Sequence, residues 1–169
     1  MSDKIICSKV WIEGDVSIGE GTIIHPDAEL IAKDGPIKIG KNNIIEEKCI
    51  IINQKKNEND QVETLEINDY NYFEVGSYVE SRKIGDNNII GIFSNLGKNI
   101  TLQNGVVINP KVDLSNESMI LKTNTIAFQK PEIHFHEIPN QENFNHEQIV
   151  SHLERLRKLL PQFHELKEI

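Results

Sequence analysis

Carboxylates apart, six histidines and two cysteines are the side chains of this 169-residue chain that could hold a transition metal or move a proton near neutral pH. His25 stands alone in the first half, directly before Pro26; His134, His136, His146, His152 and His164 all lie beyond residue 130. A zinc centre that activates water needs three neutral imidazoles converging on the ion and an open fourth position. The spacing allows no such triad to be drawn, and no metal ligand is predicted. Acyl transfer needs a histidine base beside a cleft and room for a coenzyme A-like donor. His25 could be that base only in principle, because no P-loop, nucleophile elbow or dinucleotide fingerprint accompanies it, and IGEG at 18–21 is repeat punctuation rather than a phosphate cradle. His25 is read as a surface or corner residue, with no catalytic and no cofactor-binding residue in the chain. Cys7 and Cys49 are far apart and belong to no CxxC pair or Cys/His set, so they read as small, partly buried thiols of a reducing compartment.

The scaffold that must carry these residues shows itself in the aliphatic positions. Ile6, Ile12, Ile18, Ile24 and Leu30 recur at intervals of six, and after the polar and Gly-Pro residues at 32–36 the register resumes at Ile39, Ile45 and Ile51. Beyond a polar stretch it continues at Ile67, Phe73 and Val79, takes a five-residue step to Ile84, and then runs through Ile90, Leu96, Leu102, Ile108 and Leu114 at intervals of six. Four residues after a register position the side chain is often small or β-branched, as at Val10, Thr22, Ala28, Cys49, Ser77 and Val106. The residues just after it are often Gly, Asn, Asp or Lys, and IGKNNI at 39–44 returns as IGDNNI at 84–89. Gly, Asn and Asp suit a chain that must turn after each short extended segment. An α-helix would instead need apolar residues at i, i+3, i+4 and i+7. The period predicts an all-β solenoid, a parallel β-helix of hexapeptide repeats in which Ile12, Ile18, Ile24, Leu30, Ile39, Ile45, Ile84, Ile90, Leu96, Leu102 and Ile108 pile into an apolar core.

The solenoid is assigned to residues 1–130, with a polar solvent loop at 53–66 and a linker at 131–145. A C-terminal α-helix is predicted over 146–169. Ile149, Leu153, Leu156, Leu160 and Phe163 fall on one helical face. Asn145 serves as N-cap, Gln148 completes a capping box and Glu147 lies near the positive dipole end. Pro161 should kink or split that helix. Leu153, Leu156, Leu160 and Phe163 form a stripe that packs on the solenoid or binds a partner. The net charge of -8 and pI near 5.2 work against nucleic acid and anionic lipid, and no apolar run is long enough to insert in a membrane.

Hexapeptide β-helices include acyltransferases and zinc carbonic anhydrases, yet the Gly-Asn-Pro-Ala turn that closes many of the acyltransferases is absent after Leu114. The segments GDVSIGEGTIIHPDAELIA (14–32), GPIKIGKNNIIEE (35–47), NYFEVGSY (71–78), KIGDNNII (83–90) and KLLPQFHELK (158–167) resemble the dynactin subunit 6 family, the smaller of the two left-handed β-helix subunits of the dynactin pointed-end complex. The likeness spans nearly the whole chain and is weakest over 113–130. It implies a left-handed solenoid and a non-enzymatic structural subunit without cofactors. It also implies a cytoplasmic, cytoskeleton-associated place in dynein-driven transport along microtubules. The partners implied are the second β-helix subunit, dynactin subunit 5-like, and the other pointed-end subunits. A hexapeptide-repeat enzyme, either a carbonic anhydrase relative or an acyltransferase, is the alternative.

Overall fold

The computed structural model describes residues 4–55, 59, 61 and 63–167. Its corners show why the sequence is rich in Gly and Asn. At one corner of successive coils Gly21, Asn42, Tyr70, Asn87, Gly105 and Asn124 all have φ between 54° and 70°, and at the next Asp27, Lys48, Gly76, Phe93 and Lys111 do the same between 53° and 67°. Gly and Asn accept this left-handed conformation at little cost, whereas Tyr70 and Phe93 are unusual there and are held by what surrounds them.

Short parallel strands run between the corners. An eight-stranded sheet joins Ile5–Ile6, Ile23–Ile24, Ile44–Ile45, Tyr72–Phe73, Ile89–Ile90, Val107–Ile108 and Thr125–Gln129 in parallel, with Ile133–Glu137 added antiparallel at the end. The ten-stranded second sheet bends round a corner, because Glu29–Ile39 pairs with Ile50–Asn53 through residues 29–32 and with Leu65–Ile67 through residues 37–39. The result is a left-handed parallel β-helix of about six turns, with three walls.

Each wall contributes one inward column. Ile6, Ile24, Ile45, Phe73, Ile90, Ile108 and Ala127 are stacked in register on the first. Leu30, Ile51, Val79, Leu96 and Leu114 form the second, and Ile39, Ile67, Ile84, Leu102 and Leu121 the third. All of these are buried. Ile12 and Ile18 depart from the expected core: they head the second and third columns, but both are only half-buried. They sit in the edge strand Trp11–Ile18, with a coil on one side alone, so half of the apolar contact that burial would bring is missing.

The irregular steps of the register have local causes. At the five-residue step between Val79 and Ile84, buried Ser81 donates its hydroxyl to the carbonyl of Ile100 at 2.7 Å, which satisfies the shortened coil. Residues 33–36 bulge opposite Asp15, where the register shifts between Gly14 and Val16. Gly14, at φ 78°, lies against the Ala32 carbonyl, and a side chain there would collide with it. The polar loop is narrower than 53–66, since Asn53 ends one strand and Leu65 begins the next, fully buried. Asn53 ties its base by donating to the carbonyls of Pro36 and Glu63 at 2.9 and 2.8 Å. Residues 56–58, 60 and 62 of that loop lie outside the described residues.

The C-terminal region differs most from expectation. The supposed linker contains the strand Ile133–Glu137, and the helix begins earlier and ends sooner than predicted, at Gln141–Phe163. Asn140, with φ 63°, is its N-cap and makes no side-chain capping bond; Asn145 lies inside the helix, fully buried. There its oxygen accepts from Gln141 Nε2 at 2.8 Å and its amide donates to the carbonyl of Asn87 on the solenoid at 2.9 Å. Pro161 falls in the last turn, where it cannot donate to the Arg157 carbonyl, and the helix stops two residues later.

Candidate functional site

The seam between helix and solenoid gathers most of the polar side chains that sequence spacing left scattered. The helix crosses the outer surface of the first wall, where it buries the outward-pointing Ile23 and Ile44 completely beneath Ile149, Leu153, Leu156 and Leu160. Phe163 does not join that stripe. It is 73% exposed, because the last turn overhangs the end of the wall where no coil remains to receive it.

Corner residues guide the helix into place. Asn87 donates to Glu142 at 3.1 Å and its side-chain oxygen meets His146 Nδ1 at 2.8 Å, while Asn124 accepts from the Glu142 N–H at 2.8 Å. Nearer the base Arg157 donates to the Asn42 side chain at 2.9 Å and to the Gly21 carbonyl at 3.3 Å. His146 stands edge-on to Tyr70, and His152 edge-on to Tyr72. Beyond the helix, Ser8 donates to the Glu165 carbonyl and Lys167 to the Ile6 carbonyl, closing a bridge between Cys7 and Leu166. The chain thereby covers both ends of the first wall, with residues 165–167 at one end and Ile133–Glu137 at the other.

His25 is not the surface residue expected. It is 5% exposed, under the helix, because Ile24 pairs with Ile45 and the next residue of each strand, His25 and Glu46, therefore lie side by side on adjacent coils. His25 Nδ1 lies 3.3 Å from Glu46 Oε2 and 3.4 Å from Glu47 Oε1. On its far oxygen Glu46 accepts from the Tyr72 hydroxyl at 3.0 Å and faces His152 Nε2 at 4.0 Å. Burial raises the Glu46 carboxyl to about 7, against the Tyr72 hydrogen bond and with the help of the Glu47 charge. Burial also lowers His25, although Glu47 pulls the other way, and His164 adds to the lowering. Glu47 is lowered in spite of its partial burial, by its own backbone hydrogen bond and by His25. His25, Glu46 and Glu47 each offer one ligand atom, and these atoms lie within 4.8 Å of one another. Comparing the residue after each first-wall register position would have found this cluster in the sequence.

The remaining candidates do not join it. His134 and His136 are exposed on the added strand, stacked on Phe128. Cys7 and Cys49 are both buried, and burial pushes their thiols up to about 11 and about 12. Because the thiolate is the nucleophile, alkylation by iodoacetamide at pH 8 is expected to be far slower in the folded chain than in urea, where both sites should react like free cysteine; mass spectrometry over time reads the difference. Beside the helix lies a groove of about 730 Å³, lined by Tyr72, Ile89, Val107 and Ile126 on one side and Phe144, Ser151 and Arg155 on the other.

No protein-family model matches the chain. It is 36% identical over 171 residues to dynactin subunit 6 of Nematostella vectensis, covering 98% of this chain and 89% of that one. The chain belongs to the dynactin subunit 6 family. The family protein of Danio rerio is 33% identical over 172 residues (97% and 84% covered), and that of Dictyostelium discoideum 33% over 171 (99% and 87%). Among solved structures, a hexapeptide transferase family protein from Anaplasma phagocytophilum superposes with a TM-score of 0.72 at 14% identity, covering 92% of each chain. A UDP-N-acetylglucosamine acyltransferase from Bacteroides fragilis gives 0.60 at 16% identity, covering 99% of this chain and 74% of that one. At such identities these two likenesses speak for the fold alone. Two segments that carry the resemblance to the dynactin subunit 6 family have definite work in the structure. NYFEVGSY supplies the buried Asn71, the Tyr72 that holds Glu46, the core Phe73 and the Ser77 that meets Cys49 at 3.1 Å. KLLPQFHELK supplies the helix end and the residues that cover the Ile5–Ile6 edge.

Proposed function

We propose that this chain is a non-catalytic subunit of the dynactin pointed-end complex, acting through shape and surface within an assembly that supports cargo engagement in dynein-driven transport along microtubules. In this reading it works in the cytoplasm, associated with the cytoskeleton, and pairs with the second β-helix subunit, dynactin subunit 5-like, beside the other pointed-end subunits. The observation that carries the reading is the likeness to dynactin subunit 6 proteins along almost the whole chain. The placement of His25 agrees with it: the one histidine of the coils is buried under a helix rather than exposed as a free base.

The strand edges support a partner of the same kind. The first wall is covered at both ends, but Trp11–Ile18 at one end and Asp113–Leu114 and Met119–Leu121 at the other have a strand neighbour on one side only, among the described residues. Such edges are docking surfaces for another sheet. Trp11 and Ile120, 60% and 64% exposed, project from them.

Co-expression with the second β-helix subunit tests the proposal. A one-to-one complex is expected by light scattering; a homotrimer eluting alone, or coenzyme A-dependent transfer or carbon dioxide hydration by the purified chain, would speak for the hexapeptide enzymes instead. Leu156→Asp/Leu160→Asp should detach the helix and, with it, the strand cover at residues 165–167. The double variant is expected to lose the complex or to aggregate; normal pairing would show that the helix plays no part in docking.

A further inference from the structure

We propose that His25, Glu46 and Glu47 form a binding site for a zinc-class divalent cation, a structural clip between adjacent coils at the foot of the C-terminal helix. The three side chains converge because of the coil register, and their ligand atoms lie within 4.8 Å of one another. The separations from His25 Nδ1, 3.3 Å to Glu46 Oε2 and 3.4 Å to Glu47 Oε1, the latter a long hydrogen bond, exceed the usual N–H···O distance of about 2.9 Å. These two separations match the edge of a tetrahedron, about 3.3–3.4 Å, around an ion whose ligands stand about 2.0–2.1 Å away, and the two carboxylate oxygens lie within 4.8 Å of each other.

The surroundings are those of a built site. His25 is buried, with 5% exposure, and turns its Nδ1 on the two carboxylates. Among those residues the cationic groups within 4.0 Å of Glu46 and Glu47 are histidines, which are uncharged when deprotonated, so the carboxylate pair lacks a permanent counter-charge. Tyr72 and His152 engage Glu46 Oε1 and leave Oε2 turned to His25, the arrangement in which outer partners aim a ligand. Glu47 is 41% exposed at its side chain and lines a cavity of about 530 Å³ with Cys7, Pro26, Asp27, Phe163 and His164, which gives an ion a route in. An imidazole with two carboxylates suits zinc among the common divalent ions, since nitrogen is a poor ligand for magnesium or calcium. The ion would join the coil carrying His25 to the coil carrying the glutamates, and through Tyr72 and His152 to the third coil and the helix.

The proposal is independent of partner binding and is tested on the full chain, stripped with a chelator, dialysed and titrated with Zn²⁺ by calorimetry, with metal content measured by mass spectrometry. One zinc per chain is expected, together with a rise in thermal midpoint on saturation. Glu47→Gln, at a half-exposed side chain, should retain the fold and weaken zinc binding by more than the roughly 10–100-fold that losing an outer partner costs; Tyr72→Phe should weaken it by about that amount. His134→Asn/His136→Asn on the exposed strand should leave it unchanged. The proposal is overturned if the stripped chain takes up only traces of zinc. Uptake that survives Glu47→Gln, or that disappears in the His134/His136 variant, overturns it equally.

Discussion

Replacing Asn71 by Leu is expected to lower the stability of the chain by about 3–5 kcal/mol, a large share of the total for a domain of this size. Asn71 is the centre of a buried ladder that climbs the corner before the first wall. Thr22 donates to the Gly40 carbonyl at 2.9 Å and accepts from the Asn43 N–H at 3.2 Å. Asn43 accepts from the Asn71 N–H at 2.8 Å, Asn71 from the Asn88 N–H at 3.0 Å, and Asn88 from the Val106 N–H at 2.7 Å. The Asn71 amide also donates to the Gly85 carbonyl at 2.9 Å, and its oxygen takes a second bond from Asn88 Nδ2 at 2.9 Å. Leu has a similar volume, so the loss is polar: it strands the Asn88 N–H, the Asn88 side-chain amide and the Gly85 carbonyl in a dry corner, at about 1–3 kcal/mol for each orphaned group. Asn116, exposed on the last coil, is the control, and its change to Leu should stay within about 0.5 kcal/mol. Urea unfolding of the two variants decides the matter; equal midpoints would mean that the ladder contributes nothing.

Phe73→Ala should cost about 3–5 kcal/mol for a related reason on the apolar side. Phe73 is fully buried between Ile45 and Ile90 in the first column, the bulkiest residue of that stack, and has a coil on either side to be undermined by the cavity. Ile18→Ala, in the half-buried edge strand, should cost less than about 2 kcal/mol, because part of that side chain already meets solvent. In a solenoid each coil touches only its neighbours, so the cost of truncation should fall from the middle of the stack to its ends. Denaturant midpoints for Phe73→Ala, Ile90→Ala and Ile18→Ala would show this gradient, and a cost at Ile18 as large as that at Phe73 would contradict it.

The six-residue period was enough to place Ile24, Leu30, Ile39, Ile45, Ile84, Ile90, Leu96, Leu102 and Ile108 on inward columns, because side-chain direction in a solenoid depends on position within the repeat. Period alone could not grade those positions by depth. Ile12 and Ile18 carry the same signal as Ile90, yet they lie where the stack ends. The helix stripe was legible as far as Leu160 for the same reason, and Phe163 was not, because its burial depends on how far the wall extends beneath it. The two asparagines of IGKNN and IGDNN read only as corner residues. In the fold the first, Asn42 or Asn87, takes the left-handed turn and receives the helix, and the second, Asn43 or Asn88, enters the buried ladder.

By itself the sequence determined the parallel solenoid, its corners, the amphipathic helix and, through likeness, the family, since these follow from local spacing and residue type. Only the tertiary structure decided what crosses between coils and helix. Stacking sets His25 beside Glu46, residues 21 apart in the chain, and the helix returns from the far terminus to bury them both. The same return lets residues 165–167 cover the first strand of the molecule. Such contacts have no period in the chain, because they are set by where the helix comes to rest once Ile23 and Ile44 must be shielded from water.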